Sequence, residues 1–187
     1  MKKIVSIITL FIATLFIGCG GVKLTPEKQA IIDEQTVLYT QVAMWTEKNR
    51  VDGTNYSTGL HIPVNTEVTI SQISGKAIVF MMNGQKITYI TQSKYTRIDS
   101  NQMLDRLFGT KKLDLSGHSP ATIKNINNGA VAMGMTKDEV LLARGYPPFH
   151  ATAGVEADVW KYWRNRWVTA LITFKDGKVS NIKGTVS

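Results

Sequence analysis

Few side chains in this 187-residue chain have the types and spacing that chemistry needs. The single cysteine, Cys19, has no partner for an internal disulfide. The three histidines, His61, His118 and His150, are far apart, and none falls in a metal-ligand spacing. Asp105 with Asp114, or Asp138 with Glu139, could be imagined as carboxylate pairs, and solvated or helix-capping roles suit them better. There is no Gly-x-Ser-x-Gly and no phosphate loop. The chain therefore predicts no catalytic residue, no metal site and no cofactor, and a protein that is not an enzyme. One cluster suits recognition instead. Trp160, Trp163 and Trp167 lie among Lys161, Arg164 and Arg166. Tryptophan and arginine are common interface anchors, and tryptophan beside cations also suits a lipid headgroup region. Trp163, Arg164, Arg166 and Trp167 are thus candidate contacts with a partner protein or lipid. The alternative is that Trp163 and Trp167 pack on each other across a hairpin.

The first residues have the layout of an export signal. Met1-Lys2-Lys3 is a basic head, Ile4 to Gly18 is apolar, and a small residue precedes Cys19. The apolar run is short for a helix of about 20 residues that spans a bilayer. Gly18-Cys19 resembles the lipobox of bacterial lipoproteins, although Phe16 stands where leucine is usual. The resemblance implies cleavage before Cys19 and an N-acyl diglyceride, palmitate among its chains, on that cysteine. Such acyl chains contribute about 0.8 kcal/mol per buried methylene. By the sorting rule of enterobacterial lipoproteins, Gly20 in place of Asp implies the periplasmic face of the cell outer membrane.

Removing residues 1–18 takes Lys2 and Lys3 from 22 basic side chains and leaves 20 against 14 acidic ones, a charge of about +6. A basic envelope protein can face anionic lipid or acidic wall polymer such as peptidoglycan. Export argues against a nucleic-acid partner.

The rest of the chain reads as α+β. Residues 19–35 read as a tether, with Gly20-Gly21, Pro26 and a turn of helix near Glu27. Residues 36–110 read as a small β-rich domain with a short helix at its end. Val37–Tyr39 and Val42–Trp45 are candidate strands, or residues 27–48 are helical. Leu60, Ile62 and Val64, then Val68 and Ile70, alternate with polar or turn residues at strand period. Asn83-Gly84 between two apolar runs predicts a type I′ hairpin. Ser100 is the expected cap of a helix holding Met103, Leu104, Leu107 and Phe108, with a stop at Gly109. Ile62-Pro63-Val64-Asn65-Thr66-Glu67-Val68 resembles the opening stretch of SH3-like envelope domains. Residues 111–127 are polar and read as a linker.

Residues 128–187 carry the densest local signals. Thr136 and Glu139 have the spacing of a capping box, and Met135 and Val140 that of a hydrophobic staple. Gly145 ends that helix, and Pro147-Pro148 prevents its resumption. Val159–Trp163 is an expected strand, and Arg164-Asn165-Arg166 a turn. In the next strand, Trp167 to Lys175, Val168, Ala170, Ile172 and Phe174 share a face. Asp176-Gly177 is a second hairpin loop, and Lys178–Lys183 is a last strand with an expected bulge, because Val179 and Ile182 are out of phase. The expectation is one short helix and a three-stranded antiparallel sheet.

These residues together resemble the SmpA/OmlA family, whose best-known member is BamE of the outer-membrane β-barrel assembly machine. The resemblance runs from about Asn128 to Lys183. It rests on Gly134-Met135-Thr136, Glu139, Val140, Gly145-Tyr146-Pro147, Asp158-x-Trp160-x-Tyr162, and Phe174 with Gly177-Lys178-Val179. It implies helices packed on a three-stranded antiparallel sheet, with Trp160 and Tyr162 in the core. It also implies a non-enzymatic outer-membrane lipoprotein that scaffolds or assembles by contact with envelope proteins and lipids. β-Lactamase inhibitory proteins share that fold, so an inhibitor-type binder is an alternative, as is an SH3-like module that holds a wall glycan or peptide. The chain departs from BamE in the roughly 100 residues that precede the module.

Overall fold

The computed structural model describes residues 22–185. The expected signal and lipidation site at Cys19 lie outside the described residues. Among the described residues the chain is mixed α+β, with five helices and eleven strands. The buried side chains form two clusters, one centred on Phe80 and Ile87 and one on Trp160 and Ile172.

The first cluster belongs to α1 (Pro26–Asp33), β1 (Val37–Thr40), β2 (Met44–Thr46), β3 (Arg50–Asp52), β4 (Leu60–Ile62), β5 (Glu67–Ile73), β6 (Ala77–Met82), β7 (Gln85–Ile90), α2 (Ser93–Thr96), α3 (Ser100–Leu107) and β8 (Phe108–Gly109). Its main sheet has the order β3-β7-β6-β5-β1-β8, and β2 and β4 form a separate antiparallel pair. All neighbours in the main sheet are antiparallel except β3 and β7. The Asn83-Gly84 loop closes β6 onto β7 with both residues at positive φ, +49° and +75°, as a type I′ turn requires. The ambiguity over residues 27–48 resolves into one helix followed by two strands.

Three expectations in this unit are corrected. The tether does not extend to residue 35. Thr25 caps α1 with Pro26 in its first turn, and Leu24, Ile31 and Ile32 pack on the first cluster. Lys28 Nζ sits 2.7 Å from Asp105 and donates to Asn101 O at 2.9 Å, while Asn101 Nδ2 donates to Lys23 O at 3.3 Å. Second, Asp99 rather than Ser100 caps α3, because only from Asp99 does a Gln fall at the third helical position. Asp99 accepts from Gln102 N–H, and the Gln102 side chain reaches back to Asp99 N–H. Ser100 is buried, its hydroxyl 2.8 Å from that of Thr91. Third, Phe108 lies outside the helix, extended at φ −134°, and begins β8 against β1.

The second cluster belongs to α4 (Pro120–Asn128), α5 (Lys137–Arg144), β9 (Val159–Trp163), β10 (Thr169–Lys175) and β11 (Lys178–Gly184). The sheet is the expected antiparallel meander, in the order β11-β10-β9. The register of β10 on β11 shifts between Thr173 and Phe174, so the expected bulge is present. α5 starts on a complete capping box: Glu139 N–H donates to Thr136 Oγ1 at 3.2 Å, and Thr136 N–H to Glu139 Oε2 at 2.8 Å. The staple residues Met135 and Val140 are buried.

Residues 111–127 are not all linker. Ser119 caps α4, Pro120 occupies its first turn, and Gly129 at φ +66° ends it. Ile126 buries its side chain in the second cluster, which is why this polar stretch folds. β10 begins at Thr169 rather than Trp167, since Asn165 Oδ1 accepts from both Trp167 N–H and Val168 N–H and keeps them in the turn.

Candidate functional site

The two units meet along a seam centred on Arg144, the last residue of α5 and only 2 % exposed. Its Nη1 donates to Gly129 O at 3.1 Å and its Nη2 to Ser57 Oγ at 2.8 Å. The guanidinium lies 4.4 Å from the Trp45 ring centroid and 5.8 Å from that of Tyr162. Among the described residues no carboxylate forms an ion pair with it, and its Nε has no hydrogen-bond partner. Burial pushes its pKa down to about 10, against the smaller opposing effect of Tyr162. A buried cation without a counter-ion is held by oriented dipoles and ring faces. Gly129 permits the approach: it is left-handed, and a Cβ there would sit 2.6 Å from the Trp45 ring. The backbones also join across the seam. Asn55 Nδ2 donates to Arg144 O at 2.6 Å and Tyr146 O at 3.0 Å, Ala43 N–H to Leu142 O at 3.0 Å, and Ser57 N–H to Trp163 O at 3.1 Å.

Beside the seam a cleft of about 410 Å³ opens between the units. Val42, Met44, Val51, Tyr89, Met103 and Leu107 form its apolar wall on one side, and the segment Tyr146-Pro147-Pro148-Phe149 its wall on the other. The volume falls within the range typical of small-molecule pockets, about 300–1,000 Å³. Asp52, Arg97 and Arg106 are its charged lining residues. Arg106 lies 4.2 Å over the Tyr146 ring, and Arg97 5.8 Å over the Phe149 ring. Burial holds the Tyr89 phenol above its usual range, so this donor stays neutral; its O–H points at Met103 Sδ, 3.3 Å away.

The sequence-selected contact residues separate into two places. Trp163 is half-buried at the seam, its ring 5.1 Å from that of His150, which in turn lies 4.9 Å from the Tyr95 ring. It pairs across the sheet with Thr169, not with Trp167. Arg164, Arg166 and Trp167 are together at the exposed tip of the β9–β10 hairpin, and Trp167 is 83 % exposed. Arg166 lies 6.0 Å from the Trp167 ring.

The motif residues have structural places. Trp160, Tyr162 and Phe174 are buried on one face of the sheet, with Trp160 and Phe174 centroids 4.7 Å apart. Tyr162 O–H donates to Gly145 O at 2.8 Å. Gly134 is left-handed and donates to Val179 O at 2.8 Å, tying the approach to α5 onto β11. Thr136, Glu139 and Val140 start and seat α5, Gly145 ends it, and Pro147 lines the cleft. Burial pushes the Glu139 carboxyl up, but hydrogen bonds from Thr136 and His118 outweigh it and hold the group below its usual range. His118 Nδ1 lies 2.9 Å from Glu139 Oε1.

Sequence reasoning did not foresee the cleft, Arg97, Arg106 or the seam at Arg144. The one local signal is the aromatic-Pro-Pro-aromatic run after Gly145, whose prolines by themselves indicate only a helix stop. Among the described residues no group of three or more His, Cys, Asp or Glu side chains converges as a metal site. No described helix is long and apolar enough to cross a membrane. Comparison with protein-family models, with curated proteins and with solved structures finds no match to this chain.

Proposed function

We propose that this chain is a lipid-anchored, non-enzymatic docking lipoprotein of the bacterial cell envelope. In this reading an N-acyl diglyceride on Cys19 holds it on the periplasmic face of the outer membrane. Its second unit is of the SmpA/OmlA (BamE-like) kind, and it scaffolds an envelope membrane protein. The observation that carries the reading is the β9–β10 tip, where an 83 %-exposed tryptophan stands with two exposed arginines. A solvent-facing tryptophan flanked by cations is the composition of an interface anchor. The capping box, the helix stop and the buried Trp160-x-Tyr162 pair support the family resemblance.

The test is affinity capture of the lipidated chain from cross-linked envelopes, native against the triple variant Arg164→Ala, Arg166→Ala, Trp167→Ala. Loss of a native partner from the variant, with unchanged membrane retention, is expected. An unchanged partner profile would sink the docking surface. The cleft favours a second reading, a ligand-binding lipoprotein whose first, SH3-like unit contributes one wall of the site. Retention on purified peptidoglycan sacculi without any protein partner would favour a wall ligand for it.

A further inference from the structure

The charged groups of the inter-unit cleft are not equivalent. Asp52 is already engaged by its neighbours. Its Oδ1 accepts from Thr54 N–H at 2.9 Å and from Thr54 Oγ1–H at 2.6 Å. Its Oδ2 accepts from Gln92 Nε2 at 3.3 Å and lies 3.8 Å from Arg50 Nη2. Arg97 and Arg106 are the opposite case. Among the described residues neither guanidinium donates to any oxygen or pairs with a carboxylate; each only rests over an aromatic ring of the facing wall. Each carries five N–H donors in a fork that fits a carboxylate. The backbone places Arg97 at a cost, since it is left-handed at φ +63° without being glycine. Arg97 is exposed and Arg106 half-buried, so the donors that this apolar cleft can turn from water to a ligand are cationic and suit an anion.

We propose that the cleft binds a single-chain aliphatic carboxylate. Its chain lies between the Met44, Val51, Met103 and Leu107 wall and the Tyr146–Pro148 wall, and its carboxylate is met by Arg97 and Arg106. An aliphatic cation would find the cleft's only carboxylate already saturated, and a neutral chain would offer the guanidiniums no acceptor in place of water. The proposal rests on the ligand-binding reading of the cleft and is independent of the hairpin tip.

The test uses the full lipidated chain in phosphatidylcholine nanodiscs, with empty nanodiscs as the partition control. The probes are carboxyl-labelled dodecanoate, its methyl ester and dodecyltrimethylammonium, each titrated and read by NMR. Saturable binding of one dodecanoate per chain is expected, with the ester and the ammonium compound weaker by about tenfold or more. Arg97→Gly together with Arg106→Gln is expected to weaken dodecanoate by a similar factor, about tenfold. Glycine suits the backbone at position 97, so a thermal melt should show a folded variant. Trp167→Ala should leave dodecanoate binding unchanged, which separates this site from the docking tip. Equal affinity for the three headgroups, or retention no greater than by empty nanodiscs, overturns the proposal even if the double variant fails to fold. Unchanged binding by a folded double variant overturns it too.

Discussion

Two regions of this molecule use the same pair of residue types in opposite settings. At the seam, Arg144 lies 4.4 Å from the Trp45 ring and is almost wholly buried. At the hairpin tip, Arg166 lies 6.0 Å from the Trp167 ring, and both are exposed. Helix α5 delivers Arg144 from a fixed position, and Gly129 O and Ser57 Oγ orient its guanidinium. Arg166 hangs from a turn that the Asn165 side chain organises through backbone donors alone. A cation–π contact strengthens when it is desolvated and is worth little when wet. Arg144 with Trp45 therefore works as a structural joint, whereas Arg166 with Trp167 leaves its donors and ring open to solvent.

That contrast can be broken from either side. The largest effect is expected at Arg144. Arg144→Ala leaves Gly129 O unpaired, leaves Ser57 Oγ only its 3.3 Å bond to Trp163 O, and opens space under Trp45, so chemical denaturation should show a loss of about 3 kcal/mol. A loss below about 0.5 kcal/mol would remove Arg144 from the role of joint. Next, Gly129→Ala forces a Cβ into the Trp45 ring at a left-handed position and should cost about 2 kcal/mol by the same measurement. His61 should give a smaller, pH-dependent effect. Burial, then the nearby Arg144 charge, holds its pKa below 6.5, and its ring lies 4.8 Å from Trp45. The unfolded chain takes up a proton near pH 6.5 while the folded chain resists it, so stability present above that pH is lost as pH falls through it. Between about pH 7.5 and about pH 5.5 the melting temperature of the native chain should therefore fall further than that of His61→Asn. Parallel curves would show that His61 does not sense the joint. The smallest stability effect is expected at the tip, where Arg166→Ala with Trp167→Ala should stay within about 0.5 kcal/mol. A larger loss would mean that the tip is structural and not a contact surface.

The second unit was the more legible in the sequence, because its signals are local. The Thr136–Glu139 box, the Gly145 stop, the Asp176-Gly177 loop and the phase break between Val179 and Ile182 each sit within a few residues, and each has its structural counterpart. Burial of Trp160 and Tyr162 followed from strand alternation together with the resemblance. In the first unit the Asn83-Gly84 hairpin was equally local. The parallel pairing of β3 with β7 joins residues far apart in the chain, and no short pattern encodes it. α4 was missed although Ser119-Pro120 and Gly129 bracket it, because its asparagines diluted the apolar period. No local pattern marks Arg144, or the place of Trp163 at the seam, for the reason that makes the seam informative. A charged or amphipathic side chain is ordinarily solvated, and only the apposition of the first unit shields these from water. The cleft was illegible on the same ground, since each unit supplies only one wall of it.

The docking of Lys23 and Leu24 onto the first unit bears on how the body would sit on a membrane. Only residues 20–22 separate Cys19 from Lys23. At about 3.5 Å per residue, four steps of chain reach no further than roughly 14 Å. A lipid on Cys19 would thus act as a short mooring rather than a long leash. The first unit would ride against the headgroups and meet partners embedded in the same bilayer, while targets deep in the periplasm would lie beyond its reach.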